Sequence, residues 1–285
     1  MKIHSIQTGT VWVKTAQRRG KGHGFLRQMN MFIDGNWSQP LPIYAWLIEH
    51  PEGLFLVDTG ETSRVAEKGY FTSWHPYFKT GVREEVSRNA EIDRGLSRLG
   101  YSARDIKTVI LTHFHTDHAG GLHHFESSQV LVSQTDYMLA RGFAGKARGF
   151  LPQHWPDWFE PQFPESGGTN SPEPWETFGN SWPVTRAGDV RIVPTPGHTP
   201  GHQSVIVDTG DRIYFLAGDT SYDEQLLRER VVDGVSGSEA VALDTMDRIL
   251  SLMNRRPTVY LPSHDIDAGE RLAEAQIKEF HHAAI

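Results

Sequence analysis

The amino-acid sequence predicts an α/β fold, and three observations carry that expectation. Short apolar runs of strand length recur through both halves of the chain, Gly, Pro and amphipathic stretches separate them, and no fixed-period repeat is present. The composition, 38% hydrophobic and 22% charged over 285 residues, is that of a folded globular chain rather than a disordered one. A chain of this length has ample apolar material for one large core, so residues 1–285 are expected to form a single domain.

Taken in order, the expected strands cover residues 9–14, 43–48, 54–57, 108–112, 129–132, 190–193, 204–207, 213–216 and 258–261. Most are short and apolar, as strands buried on both faces should be. A helix is expected over 90–99, where Ile92, Leu96 and Leu99 share one face and Gly100 supplies a stop. A second is expected over 239–253, with Ala242, Met246, Ile249, Leu250 and Met253 as an apolar stripe that packs on the core. Residues 142–182 differ from the rest. Pro, Gly and aromatic residues, among them Trp155, Trp158, Trp175 and Trp182, crowd there without clear periodicity, which suits a binding loop or lid as well as an ordered cover for the core.

Composition narrows the function. With no cysteine, disulfides, thiolate metal ligands and cysteine nucleophiles are excluded, so a metal must be held by nitrogen and oxygen. A formal charge of −7 disfavours a nucleic-acid surface, and the basic stretch Arg18-Arg19-Gly20-Lys21 reads as a solvated loop. No apolar run approaches the roughly 18 residues of a membrane span, and the N-terminal residues lack the pattern of a secretory signal. A cytoplasmic location is the expectation.

The chemistry is concentrated at Thr112-His113-Phe114-His115-Thr116-Asp117-His118-Ala119-Gly120-Gly121, where an apolar strand runs directly into four ligand side chains. His113 and His115 are two apart, so extended backbone sends their imidazoles to the same side. Asp117 and His118 follow where the chain turns toward a helix, positioned to address a second ion. Imidazole and carboxylate suit zinc, and also iron, cobalt or manganese. A single histidine is more often a hydrogen-bonded structural residue, but an H-x-H-x-D-H match arises by chance in only on the order of one such chain in several hundred. Three later segments each end an apolar strand with a His or Asp beside Gly or Ser. They are Pro196-Gly197-His198 through His202, Ala217-Gly218-Asp219-Thr220, and Pro262-Ser263-His264-Asp265.

Through the His113–His118 motif, His198, Asp219 and His264, in that order and across nearly the whole chain, the sequence resembles the metallo-β-lactamase superfamily. The resemblance implies an αββα four-layer sandwich with two divalent metal ions, zinc first among them, at one edge. It implies that the first ion takes His113, His115 and His198, that the second takes Asp117, His118 and His264, and that Asp219 bridges the two. Asp58, in Val57-Asp58-Thr59-Gly60, matches a further motif expected to be structural. Asp219 stands where some β-lactamases have a cysteine, which points to the glyoxalase-like and lactonase-like branches. Tyr222, three residues after Asp219, resembles the N-acyl-homoserine lactonases, as does Pro42 to Gly53.

That likeness implies a quorum-quenching type of lactonase, in which a hydroxide between the metals attacks the lactone carbonyl. Tyr222 would stabilise the oxyanion and Asp117 would carry the proton to the departing alkoxide. Phe25, Met29, Met31 and the Trp-rich segment are expected to contact the acyl chain. His123, His124 and His202 are expected outside the ligand set. The rival expectations are another hydrolase on the same centre, acting on a different lactone, a thioester, an aryl ester or a phosphodiester, and a non-enzymatic metal-binding protein with a closed coordination shell. The expected partner is a small lactone substrate, with a homodimer contact as an alternative use of the exposed loops.

Overall fold

The structure, a computed structural model, describes residues 1–164 and 172–283. Strands β1 (Lys2–Val13), β2 (Leu41–His50), β3 (Gly53–Val57), β4 (Val82–Glu85), β5 (Ile106–Ile110) and β6 (Gln129–Leu131) form a six-stranded sheet in the order β4-β1-β2-β3-β5-β6. Strands β7 (Glu173–Trp175), β8 (Phe178–Pro183), β9 (Val190–Pro194), β10 (Gln203–Asp208), β11 (Ile213–Gly218) and β12 (Thr258–Pro262) form the second, in the order β12-β11-β10-β9-β8-β7.

Period-two burial explains why these sheets lie face to face beneath helices. In β2, Trp46 and Ile48 meet Val205, Val207 and Leu216 of the other sheet, whereas Ala45 and Leu47 face outward onto Leu96 of the helix Ile92–Arg98. In β10, Ile206 points the opposite way from its neighbours and packs with Ala242, Met246, Ile249 and Leu252 of the helix Glu239–Arg255. These two central strands therefore bury both faces, and the four layers are helix, sheet, sheet, helix.

β3 and β5 run parallel, as do β11 and β12, while β9 is antiparallel to β10 and β10 to β11. β3 and β5 thus end at one edge of their sheet, and β9, β11 and β12 at one edge of theirs. The loops that leave them carry Asp58, His113, His198, Asp219 and His264.

Several local differences from the sequence expectation have physical causes. β1 is longer than residues 9–14, because backbone pairing with β2 extends from Lys2 opposite Glu49 to Val11 opposite Leu41, with an irregularity between Gln7 and Gly9. Alternating polar residues hid that pairing from a search for apolar runs. β5 ends before Thr112, whose amide donates to the Asp58 carboxylate instead of a neighbouring strand. Within residues 142–182, β7 and β8 form a hairpin, and all four tryptophans pack on apolar clusters: Trp155 and Trp158 outside the first sheet, Trp182 between the sheets, Trp175 near the long helix. None of these four lines the main cavity, but Ala147, Arg148, Gly149 and Phe150 of the same segment do; residues 165–171 lie outside the described residues. The basic stretch is also not free, since Arg18 pairs with Asp223 and Arg19 with Glu229. Among the described residues, no helix is long and apolar enough to cross a membrane.

Candidate metal centre

The turn after β5 cannot continue as a strand, because Asp58 at the end of β3 captures both the amide and the hydroxyl of Thr112, at 2.7 and 2.9 Å. This capture folds His113 inward, and the short helix Thr116–Ala119 then turns His118 back beneath it. His198, Asp219 and His264 arrive from the opposite sheet.

The seven side chains meet. His113, His115 and His198 each present a nitrogen, all within 4.8 Å of one another, and Asp117, His118 and His264 form a second such group. Asp219 lies between them: Oδ2 is 3.4 Å from His198 Nε2, and Oδ1 is 3.3 Å from His118 Nε2 and 3.4 Å from His264 Nε2.

The outward nitrogens explain why the inward ones are available. His118 Nδ1 lies 2.8 Å from Asp58 Oδ2, His198 Nδ1 lies 3.1 Å from Asp233 Oδ2, and His264 Nδ1 donates to the Pro42 carbonyl at 2.8 Å. His115 reverses its ring, donating from Nε2 to the Arg148 carbonyl at 3.2 Å and turning Nδ1 inward. His113 Nδ1 lies 3.1 Å from the Thr112 hydroxyl, which already donates to Asp58 and so accepts here. Each outward contact fixes a proton on the far nitrogen, so that the inward nitrogen is the one able to offer a lone pair to a metal, as metal-binding histidines require. His118 Nε2 and Asp219 Oδ1 are buried without a hydrogen-bond partner, although His202 Nε2 accepts from the Asp219 amide at 3.0 Å. Buried atoms of this kind are costly unless something engages them, and these donor types fit a pair of divalent cations.

Electrostatics divide the centre. Burial, followed by the neighbouring imidazoles, drives His113 well below the usual histidine range and His115 down to about 4. Burial disfavours charge on His264 too, but Asp219 and Asp117 outweigh it and lift the pKa to about 10, and Asp219 and Asp58 raise His118 in the same way. The carboxylates respond in kind, since His118 and His264 hold Asp117 down at about 2 against the effect of burial. Asp233 raises His198 against the effect of burial, so His113 and His115 are neutral and ready, whereas His198, His118 and His264 hold their protons more tightly and shed them on taking a cation.

A cavity of about 280 Å³ opens onto this cluster. Its apolar wall includes Val11, Val13, Met31, Phe78 and Phe150, and Tyr222 stacks on His264 at a ring separation of 5.8 Å. Of the apolar residues expected there, Met31 lines the cavity, but Phe25 is 73% exposed and Met29 40% exposed on the outer face of the helix Gly24–Ile33, so neither is placed against a bound chain. His123 and His124 stand apart beside Glu91, whose carboxylate Arg88 already neutralises.

Sequence reasoning missed several residues. Gln17, Tyr77 and Glu84 line the cavity, and Asp233 orients His198. Glu84 is half-buried beside Glu61, with its Oε2 enclosed, so desolvation and that second carboxylate push its pKa well up, and burial lifts Glu61 to about 7. No spacing rule marks such residues. Only the Asp233-Gly234 turn carries any local signal, as a loop beside a site.

The sequence profile of the metallo-beta-lactamase superfamily matches residues 38–264. The chain belongs to that superfamily. This member is 28% identical over 235 residues to an N-acyl homoserine lactonase of a Bacillus species, covering 80% of this chain and 82% of the relative. It is 32% identical over 198 residues to a probable metallo-hydrolase of Mycobacterium tuberculosis, covering 66% of this chain and 59% of the other. Among solved structures, an N-acyl homoserine lactone hydrolase with N-hexanoyl-L-homoserine at its catalytic metal centre superposes with a TM-score of 0.74 at 22% identity, covering 94% and 95% of the two chains. A dizinc quorum-quenching lactonase superposes at 0.62 with 16% identity, covering 93% and 87%. These superpositions establish the fold, and the protein is a metal-dependent hydrolase of this superfamily.

Proposed function

We propose that the protein opens the ring of N-acyl homoserine lactones using two divalent cations. His113, His115 and His198 would hold one and Asp117, His118 and His264 the other, with Asp219 shared between them. When bound, such a pair supplies Lewis acidity and the means of ionising water near neutral pH.

The observation that carries the substrate reading is the position of Tyr222. It is buried at the cavity wall beside His264, with burial and then Tyr77 holding its phenol well above the usual tyrosine range, so it stays a donor at neutral pH. Its hydroxyl is assigned to the carbonyl oxygen that gains charge as the ring opens. Asp117 is assigned the proton, accepted at its carboxylate from the attacking water and passed to the ring oxygen as it leaves. The apolar wall around Met31, Phe78 and Phe150 suits an acyl chain and excludes water from the reacting carbonyl. The 28% identical Bacillus relative, named for this activity, supports the same reading.

The test is a turnover panel of acyl-homoserine lactones of several chain lengths, an aryl ester, a glutathione thioester and a phosphodiester. The lactones should be hydrolysed with the highest kcat/KM. Preference for the thioester or phosphodiester by a factor of about 100 or more, roughly 2.7 kcal/mol of transition-state discrimination, would refute the substrate assignment.

A further inference from the structure

Gln17 sits in the short helix Thr15–Arg18, is 2% exposed, and comes from a part of the chain distant from every ligand. Its side-chain amide lies between two phenols: Nε2 is 2.8 Å from the Tyr77 hydroxyl oxygen and 2.8 Å from that of Tyr222. All three side chains line the cavity together with Asp117, Asp219 and His264.

The orientation of the amide decides what the phenols can do. With nitrogen toward them, both amide hydrogens are donated to phenol oxygens, and the buried carbonyl Oε1 is the atom left without a partner. The reverse orientation would let the carbonyl accept from both phenols but would bury an NH₂ group with two unsatisfied donors, the costlier arrangement. Each phenol oxygen therefore accepts from Gln17, and each O–H must be donated elsewhere. Among the described residues neither hydroxyl has a second hydrogen-bond partner, and the space they face is the cavity.

We propose that Tyr77 and Tyr222 form a pair of O–H donors, preset by Gln17, that grips two carbonyl oxygens of one substrate. Because both hydroxyls touch the same nitrogen, their separation cannot exceed twice a hydrogen-bond length. That span matches a lactone carbonyl and an amide carbonyl separated by one α-carbon and one nitrogen. Tyr77 is thus the residue that selects lactones carrying an α-acylamino group over plain lactones, and Gln17 is the positioning residue for both phenols. This inference rests on the lactonase reading above and adds to it a second contact and a reason for selectivity.

The experiment compares an N-acyl homoserine lactone with an alkyl γ-lactone of matched carbon number, using metal-loaded wild-type protein, Tyr77→Phe, Tyr222→Phe and Gln17→Glu. Metal content and melting temperature are measured on the same samples. Tyr77→Phe should raise KM and lower kcat/KM on the acylamino lactone by about 10-fold, the worth of one hydrogen bond to a polar substrate, and change the alkyl lactone by less than about 2-fold. Tyr222→Phe should depress kcat on both lactones. Gln17→Glu replaces the double donor with an acceptor that turns both phenol hydrogens away from the substrate. It should lose the preference as Tyr77→Phe does and lose kcat as Tyr222→Phe does, with metal content unchanged. Equal loss on both substrates in Tyr77→Phe, or no loss on either, overturns the pairing and leaves the lactonase reading standing. Wild-type protein inactive on both lactones overturns the lactonase reading, and this proposal with it.

Discussion

The carboxylate of Asp58 lies 2.8 Å from His118 Nδ1, and both side chains are completely buried. The same carboxylate holds the Thr112 amide and hydroxyl, so one residue both ends β5 and aims the histidine that follows it. Asp58 adopts a left-handed backbone with φ 61°, a conformation that aspartate tolerates better than most residues.

Replacing Asp58 with alanine should therefore release His118 and the start of the ligand turn together. We expect metal affinity to fall by about 10- to 100-fold, the usual effect of removing a residue that orients a metal-bound histidine. Titration of the metal-free protein against a competing chelator checks this. Unchanged affinity would mean that His118 is aimed by other contacts.

Metal removal should expose a pH dependence with a defined sign. His264 has its folded pKa raised to about 10 by Asp219 and Asp117, against the penalty of burial. A raised value means that the folded state binds the proton more tightly than the unfolded chain. The resulting stability is fully present below the unfolded histidine value of about 6.5 and is lost as pH rises through about 10. Asp117, held down at about 2, behaves oppositely: its contribution is present above the unfolded aspartate value of about 3.9 and is lost as pH falls through about 2. Denaturant melts of the chelated protein should show declining stability between neutral and alkaline pH, and metal uptake should release protons. Stability that rises over that alkaline window would contradict the assignment.

Gly218 permits the position of Asp219 between His198, His118 and His264. Its φ is 57°, and a Cβ there would lie 2.6 Å from His202 Nε2 and 2.9 Å from Thr112 Cβ. Gly218→Ala should cost about 1–3 kcal/mol through backbone strain and should displace Asp219 from its place between the two ligand groups. Thermal melts together with metal stoichiometry check it, the expected result being a lower melting temperature and fewer bound ions.

Glu84 gives a prediction of a different kind. Because burial and Glu61 raise its carboxyl pKa well above the usual glutamate range, Glu84→Gln substitutes a permanently neutral group of similar shape for one that the fold holds toward its neutral form. Wild-type stability should fall as pH rises above the unfolded glutamate value of about 4.3 toward the raised folded one, and denaturant melts across that range should show a shallower fall in Glu84→Gln. A fall as steep in Glu84→Gln as in the wild type would show that the fold does not raise this carboxyl.

How far the sequence reveals this molecule depends on the kind of signal each residue gives. The apolar cores of β2, β3, β9, β10 and β11 are plain in the sequence because both faces of these strands are buried, so apolar residues run together. The candidate ligands are equally plain, since His113, His115, Asp117 and His118 fall within six positions. β4 and the β7–β8 hairpin are not, because Val82-Arg83-Glu84-Glu85 is mostly charged and Phe178 to Pro183 mixes Gly, Asn and Ser with its aromatics. Gln17, Tyr77 and Glu84 are invisible for another reason. Each is a lone polar residue in an unremarkable local context, and only the folded chain sets it against the cavity. Met31 and Met29 show the limit most simply, since they are two residues apart on one helix and the backbone turns the first inward and the second out.

The central claim is that side chains separated along the polypeptide converge to hold a pair of cations that the reaction needs. Elemental analysis of purified, active protein, repeated after chelation and after reloading with zinc, tests it most directly. About two metal ions per chain are expected, with hydrolysis that disappears with the metal and returns on reloading. Full hydrolytic activity in protein that contains no metal would contradict it.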